Sequence, residues 1–219
     1  LENDMKQKKQ TIFALSTPYA QSAVAVIRIS GDSCLKVASR LLKKKKLSHA
    51  RAHFRKIYDL KKTLIDEGII IYFKSPKSFT GEDCMEIHTH GSLAVINKLL
   101  DEIGKIENCR FAKPGEFSKR AFLNNKRSLF HYEGISNLIA AETEAERSVS
   151  TRVSFGETEN ICQKWRRNLI DILSLVDASI DFPEEGETFN LKEIGFQIKK
   201  IIDEAKKSLS VSENIKNFS

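Results

Sequence analysis

Seven apolar residues, Ile161, Trp165, Leu169, Ile172, Leu173, Val176 and Ile180, recur at i, i+4, i+8, i+11, i+12, i+15 and i+19. At about 3.6 residues per turn they draw one stripe down more than five turns of helix, a spacing that no alternating strand can carry. Pro183 is expected to end this helix. A later segment, Leu191 to about Val211, repeats Ile194, Ile198, Ile201, Ile202 and Ala205 at similar intervals. Beyond Lys126 the strand signal vanishes, and from about Tyr132 the chain reads as long helices. The carboxy-terminal part is therefore expected to hold two or three helices whose stripes lack a closing partner, an incomplete all-α bundle that another chain or further sequence must cover.

The amino-terminal part reads differently. TIFALS (Thr11 to Ser16) and AVAVIRIS (Ala23 to Ser30) are β-branched or alternating and are separated by a Pro18 loop, so they predict two strands. Gly31-Asp32-Ser33 then opens a helix with Leu35, Ala38, Leu41 and Leu42 expected on its buried face. HFRKIYDL (His53 to Leu60) and GIIIYF (Gly68 to Phe73) predict further strands, the second apolar enough to be central. CMEIHTH (Cys84 to His90) predicts another, with Glu86, His88 and His90 alternating onto one face. A helix with Ile96, Leu99, Leu100 and Ile103 as its stripe follows, stopping at Gly104. Strands interleaved with helices make this an α/β or α+β domain, taken here as α+β with a mixed sheet.

The segment between the two parts, AKPGEFSKRAFLNNK (Ala112 to Lys126), packs a turn, a short helix and a polar exit into fifteen residues. Pro114-Gly115 sets the turn, Glu116 suits the positive end of the helix dipole, and Asn124-Asn125 tolerate a left-handed exit. Phe117 and Phe122 lie roughly 140° apart around the helix, so the helix is expected to be apolar on two sides and wedged between two bodies. The domain boundary is drawn here: residues 5–125, then 126–219.

A chain of 219 residues with 41% hydrophobic and 30% charged side chains can bury a core, and no run approaches the ~18 apolar residues of a membrane span. With no secretory signal the expected location is cytoplasmic. Leu1 to Asp4, ahead of Met5, are expected to be a remnant and are left out of fold reasoning. Cys34, Cys84, Cys109 and Cys162 have no metal-ligand spacing and are expected as reduced, mostly buried thiols. The formal charge of +7 suits a polyanion such as RNA; the dense run Lys43 to Lys46 reads equally as a solvated helix end. His88 and His90 share a strand face, but two ligands without a third do not make a metal site, so none is expected and His90 is assigned a backbone hydrogen bond near Gly91.

Five strings, AVAVIRISG, SFTGEDCMEIHTHG, AKPGEFSKRAFLNNK, NLIAAETEAE (Asn137 to Glu146) and ASIDFPEE (Ala178 to Glu185), occur in an order and spacing that resemble the amino-terminal half of the MnmE/TrmE family of tRNA uridine modification GTPases. The resemblance runs from about Thr11 to Glu187. It implies a folate-binding and dimerising domain related to the folate-binding part of glycine-cleavage aminomethyltransferase, then a helical domain that a Ras-like GTPase domain interrupts. No GxxxxGK[ST] loop occurs here, so the chain is expected to be a fragment that does not hydrolyse GTP alone, its bundle completed by helices beyond Ser219.

For the intact protein the resemblance implies a carboxymethylaminomethyl-type modification at carbon 5 of the wobble uridine of tRNA. A 5-formyl- or 5,10-methylene-tetrahydrofolate supplies the one-carbon unit. GTP hydrolysis with Mg and K ions drives the dimer, and a flavin-dependent MnmG/GidA-type protein is the partner. No catalytic residue is expected in this fragment. On matching motif positions the folate ligands become Arg28, Glu86 and Lys126. A pterin presents a ring N–H beside an exocyclic amine, two parallel donors that one carboxylate accepts, and the cations suit its carbonyls or its glutamyl tail.

The residues alone leave alternatives: Arg28 as an edge-strand charge, Glu86 paired with a surface lysine, and Lys126 as a helix-end cation. The loop Thr17 to Ala23 lacks the glycines usual in the family, and Asn125 and Ser128 also depart from its common residues. Two other readings stay open: a dimerisation and RNA-docking module without folate, and a freestanding aminomethyltransferase-like enzyme.

Overall fold

The structure, a computed structural model, describes residues 10–43, 46–181 and 191–216. The expectations for Leu1 to Met5, Lys44, Lys45 and Pro183 fall outside them. The chain divides into two compact units between Arg127 and Ser128.

The first unit is built on six strands, β1 (Thr11–Leu15), β2 (Ser22–Ser30), β3 (Ala52–Tyr58), β4 (Leu64–Phe73), β5 (Cys84–Gly91) and β6 (Cys109–Phe111). They form one sheet in the order β3-β4-β5-β2-β1-β6. Every pairing is antiparallel except β1 with β6, so the sheet is mixed. Three helices accompany it: α1 (Cys34–Leu41), α2 (Leu93–Gly104) and α3 (Glu116–Leu123).

One face of the sheet carries the core. Phe13, Ile27, Ile29, Ile57, Ile70, Met85 and Ile87 are fully buried there, with Val37 and Leu41 from α1 and Leu99 and Ile103 from α2 in the same cluster. Each such side chain stabilises the fold by about 1.5–3 kcal/mol relative to its exposed state. The strand GIIIYF is interior, between β3 and β5, but it is buried on one side only: Gly68, Ile70 and Tyr72 point inward while Ile69 stays exposed.

Two local expectations are corrected. In α1 Ala38 and Leu41, and Leu42 just beyond it, are buried as expected, but Leu35 is half exposed, because at about 100° from Cys34 it falls on the flank of the stripe that Cys34, Val37, Ala38 and Leu41 draw. In α3 the fully buried residues are Arg120 and Ala121; Phe122 is exposed and Phe117 only partly buried. That helix is not apolar-buried on two sides. It is anchored instead by an ion-pair network around Arg120.

Among the described residues the second unit is all helix: α4 (Leu129–Ala140), α5 (Glu144–Ser154), α6 (Glu157–Asp181) and α7 (Leu191–Lys216), four elements where two or three were expected. The extra breaks are local. Thr143 caps α5 by accepting from the Glu146 N–H at 3.2 Å, while the Glu146 carboxylate accepts the Thr143 N–H at 2.9 Å. Ser128 precedes α4 and donates its hydroxyl to Glu159 at 2.6 Å.

Candidate functional site

Strand order brings β2 against β5, and the register sets Arg28 directly across from Glu86. Fifty-eight residues apart in sequence, the two side chains share a sheet face, where a cross-strand pair of opposite charge is favourable. Arg28 donates from Nε and Nη2 to the same oxygen, Glu86 Oε1, at 3.0 and 2.9 Å. The guanidinium also lies 4.9 Å from the centre of the Phe79 ring. On the other carboxylate oxygen, His88 Nε2 sits 3.3 Å from Glu86 Oε2. β2 is an interior strand, so Arg28 is not an edge charge, and the cation facing Glu86 is an arginine rather than a surface lysine.

Lys126 arrives from the far end of the unit. After α3 the chain turns through Asn125, whose φ of 54° is left-handed, the conformation expected of the Asn-Asn exit. The Lys126 N–H donates to the Ala121 carbonyl at 3.0 Å and its ammonium donates to the Pro76 carbonyl at 2.7 Å. Asn124 Nδ2 clasps the same loop through the Thr80 carbonyl at 2.7 Å. Gly81 makes the closeness possible: its φ is 80°, and a Cβ there would stand 3.1 Å from both Lys126 Cδ and Asn124 Cβ.

Arg28, Glu86 and Lys126 thereby line one cleft of about 310 Å³, together with Phe73, Lys77 and Phe79. It combines two aromatic rings with a carboxylate and several cations, the composition of a site that holds a flat, polar-edged ligand carrying negative charge. A cavity of about 430 Å³ lies within the helical unit over Ile161 and Trp165, where Trp165 Nε1 donates to Glu204 at 3.0 Å. Of its charged lining residues, Arg152 pairs with Glu157, and Glu204 pairs with Lys164 outside the cavity.

A second layer fixes the cleft. Arg120, 5% exposed, bridges Glu82 at 3.1 Å and Glu116 at 3.1 Å and donates to the Gln10 carbonyl at 2.9 Å. Burial alone would raise the Glu116 carboxyl, but hydrogen bonds from Arg110, the Lys113 N–H and Arg120 outweigh it and hold it at about 2. Glu82 also accepts from Ser30 Oγ at 2.7 Å, and Asp83 accepts from the Tyr72 hydroxyl and the Ser75 N–H, each at 2.8 Å. The loop 74–83 is thus tied to the sheet at both ends. Burial and the Asp83 contact together push the Tyr72 phenol up.

Other singled-out residues lie elsewhere. His90 does not bond backbone near Gly91: its Nδ1 is 2.8 Å from Asp66 Oδ1, and that contact raises its pKa. Asp66, on the adjacent strand β4, also accepts the His90 N–H at 2.9 Å, so one carboxylate holds both the ring and the backbone of His90. Among the described residues no His, Cys, Asp or Glu group could hold a metal ion. All four cysteines are free; Cys34 and Cys84 are buried, Cys109 and Cys162 partly so, and burial pushes the Cys34 and Cys109 thiols up. Lys43 is exposed and carries its Nζ 3.8 Å over the Tyr58 ring. Phe79, Glu82 and Arg120 were not singled out by pattern alone, although SFTGED marks a stretch denser in turn and acid residues than any neighbouring loop.

An α+β domain with a one-sided mixed sheet and a charged cleft, followed by a helical domain, defines the class of protein. A family model described as "GTP-binding protein TrmE N-terminus" matches residues 11–126, and one described as "MnmE helical domain" matches residues 129–218. "tRNA modification GTPase MnmE" of Ehrlichia ruminantium (strain Gardel) is 48% identical over 191 residues, covering 87% of this chain and 43% of the relative. The protein of that name from Wolbachia sp. subsp. Drosophila simulans (strain wRi) is 45% identical over 200 residues, covering 90% and 45%. That from Anaplasma marginale (strain St. Maries) is 43% identical over 194 residues, covering 89% and 43%. The chain belongs to the MnmE/TrmE family. It spans less than half the length of the curated relatives it matches.

Proposed function

We propose that the cleft of the sheet unit binds a tetrahydrofolate derivative, with Glu86 accepting the paired N–H donors of the pterin and Arg28 and Lys126 facing its carbonyl and carboxylate oxygens. The reading is supported chiefly by one observation: three side chains from distant parts of the sequence line a single cleft bordered by two aromatic rings. The residues fit the group, since a carboxylate accepts N–H donors and the two cations suit carbonyl and carboxylate oxygens. When bound, the folate supplies a one-carbon unit; this chain holds and orients it and excludes water through Phe73 and Phe79. No residue of the cleft is assigned a catalytic role.

In this reading the whole protein modifies carbon 5 of the wobble uridine of tRNA with hydrolysis of GTP, as the names of the relatives suggest, and works with a flavin-dependent MnmG/GidA-type partner. The sheet unit forms its homodimer, and its fold is kin to the folate-binding part of aminomethyltransferase. No helix among the described residues is long and apolar enough to cross a membrane, in keeping with a cytoplasmic tRNA-modifying protein. Calorimetric titration of the chain with 5-formyltetrahydrofolate tests the cleft. Saturable binding is expected, weakened roughly 10- to 100-fold by Glu86→Ala, the loss of hydrogen bonds to a charged group. Silence at millimolar ligand refutes it and favours a dimerisation and RNA-docking module.

A further inference from the structure

Positive charge is not spread evenly along this chain. Residues 34–63, from the start of α1 to the turn before β4, hold eleven lysines and arginines against one acid, Asp59, a net of +10 where the whole chain carries +7. The remainder is therefore net negative, at −3. Solubility needs net charge but not its segregation, whereas a polyanion partner needs both.

The fold gathers four of these cations at one end of the sheet. Arg40 is in the last turn of α1, and Lys43 follows with a left-handed φ of 44°. Lys61 and Lys62 lie in the β3–β4 turn, which the Lys62 N–H closes on the Asp59 carbonyl at 3.0 Å. Lys62 Nζ donates to the Arg40 carbonyl at 2.9 Å, and Lys43 Nζ stands over Tyr58, the last residue of β3, so helix end and turn meet. All four cations are exposed. A carbonyl and an aromatic ring are neutral partners, and among the described residues no acid pairs with any of the four. Their neighbours differ: Lys36 pairs with Glu107 at 2.8 Å, Lys98 and Lys105 each with Glu102 at 3.1 Å, and Lys56 faces Glu67 across β3 and β4. Asp59 is turned inward, 6% exposed, accepting the Thr63 N–H at 2.8 Å and facing Lys98, so it does not neutralise the patch.

We propose that Arg40, Lys43, Lys61 and Lys62 form a docking surface for the phosphate backbone of RNA, one that holds the body of a tRNA without reading its bases. The inference rests on the reading of the whole protein as one that acts on tRNA. Exposed cations on long stems reach phosphates and release condensed counterions, which gives salt-dependent contact with no sequence preference. A lipid surface fits less well, because the apolar stripe of α1, Cys34, Val37, Ala38 and Leu41, is committed to the core and the helix has no such face to lay in a bilayer. A protein interface wants an apolar centre, and this patch sets four charges around the partly buried Tyr58.

Fluorescence anisotropy of labelled, unfractionated tRNA titrated with the 219-residue chain between about 50 and 200 mM KCl tests the surface. Saturable binding is expected, its logarithm falling linearly with the logarithm of salt. Lys43→Gln combined with Lys61→Gln should make that slope shallower by about 1.5 and weaken binding roughly tenfold at the low-salt end. Arg40→Gln combined with Lys61→Gln should do the same, which keeps the test decisive if thermal melts show the first pair unfolded. Lys199→Gln combined with Lys200→Gln, exposed on α7, removes equal charge from the helical unit and should stay within about twofold. Equal weakening by the patch and α7 pairs, or wild-type binding that the patch variants leave untouched, overturns the surface and leaves the tRNA reading standing. Tighter binding to phosphatidylglycerol vesicles than to tRNA overturns it in favour of a lipid surface. No wild-type binding at about 50 mM salt overturns the patch together with any contact between this chain and tRNA.

Discussion

The sheet unit and the helical unit bury apolar surface in opposite measure. In the first, a contiguous cluster from Phe13 to Ile106 is shut away from solvent between one sheet face and two helices. In the second, Ile172 is the buried hydrophobic residue among those described, while Leu169, Leu173, Ile180 and Phe196 are each about half exposed or more. Strong helical periodicity is thus no guarantee of a core. A stripe specifies which side of a helix seeks burial, and a sheet with helices on one face satisfies that demand internally while four helices of this unit do not. The functional groups follow the same division: the convergent charged cleft is on the unit whose backbone is held rigid by its own core.

The comparison breaks most readily at Arg120. Arg120→Ala leaves Glu82 and Glu116 facing each other without their shared cation, and the expected cost is about 3–5 kcal/mol, confined to the sheet unit. Chemical denaturation followed by far-UV circular dichroism measures it. The protein has one tryptophan, Trp165, so its fluorescence reports on the helical unit alone and should be far less affected. Next in size, Ile87→Ala is expected to cost about 2–5 kcal/mol, whereas Leu173→Ala, half exposed on α6, should stay within about 0.5 kcal/mol. Equal losses at the two positions would mean that the helical stripe is buried in solution.

Acid sharpens the contrast. Glu102 is held at about 2 chiefly by the Leu60 N–H at 2.8 Å, against the opposing effect of burial and with help from Lys105 and Lys98; Glu116 is held at about 2 as well. Both carboxyls are depressed below their unfolded values near 4.3, so their contribution is complete above about pH 5 and is lost as pH falls toward 2. Urea midpoints of the sheet unit at pH 7, 4 and 3 should therefore decline, and Glu102→Gln should flatten the decline. The lowered carboxyls of Glu144, Glu157 and Glu204 in the helical unit are solvent-screened and should shift its midpoint less. The smallest effect is expected at Thr143→Ala, which removes a capping box and should cost the helical unit about 1 kcal/mol by Trp165 fluorescence.

Much of the local structure is written in short-range pattern. The strands from TIFAL to CMEIHTH, the α2 stripe and the α6 stripe are legible because alternation and 3.6-residue spacing are properties of neighbours. The Thr143-to-Glu146 spacing and the Asn125 exit are equally local, since caps and left-handed turns depend on a few residues. Where local pattern misleads, a distant partner is the cause. Leu35 looks like core and is exposed; Glu102 looks like a solvated helix residue and is 4% exposed because the Leu60 N–H and two lysines receive it. His90 looks poised over Gly91 and instead meets Asp66 from the neighbouring strand.

By itself, then, the sequence determined five of the six strands, the stripes of the longer helices, the change from mixed to all-helical architecture near Lys126, and the family to which the chain belongs. Only the tertiary structure decided that β2 lies against β5, that this register stands Arg28 opposite Glu86, that His88 closes the second oxygen, and that Lys126 folds back over Gly81 to the same cleft. Helical and strand periods arise from covalent geometry within a few residues, whereas strand order and register are settled by which long-range pairing buries the most apolar surface with every backbone group bonded.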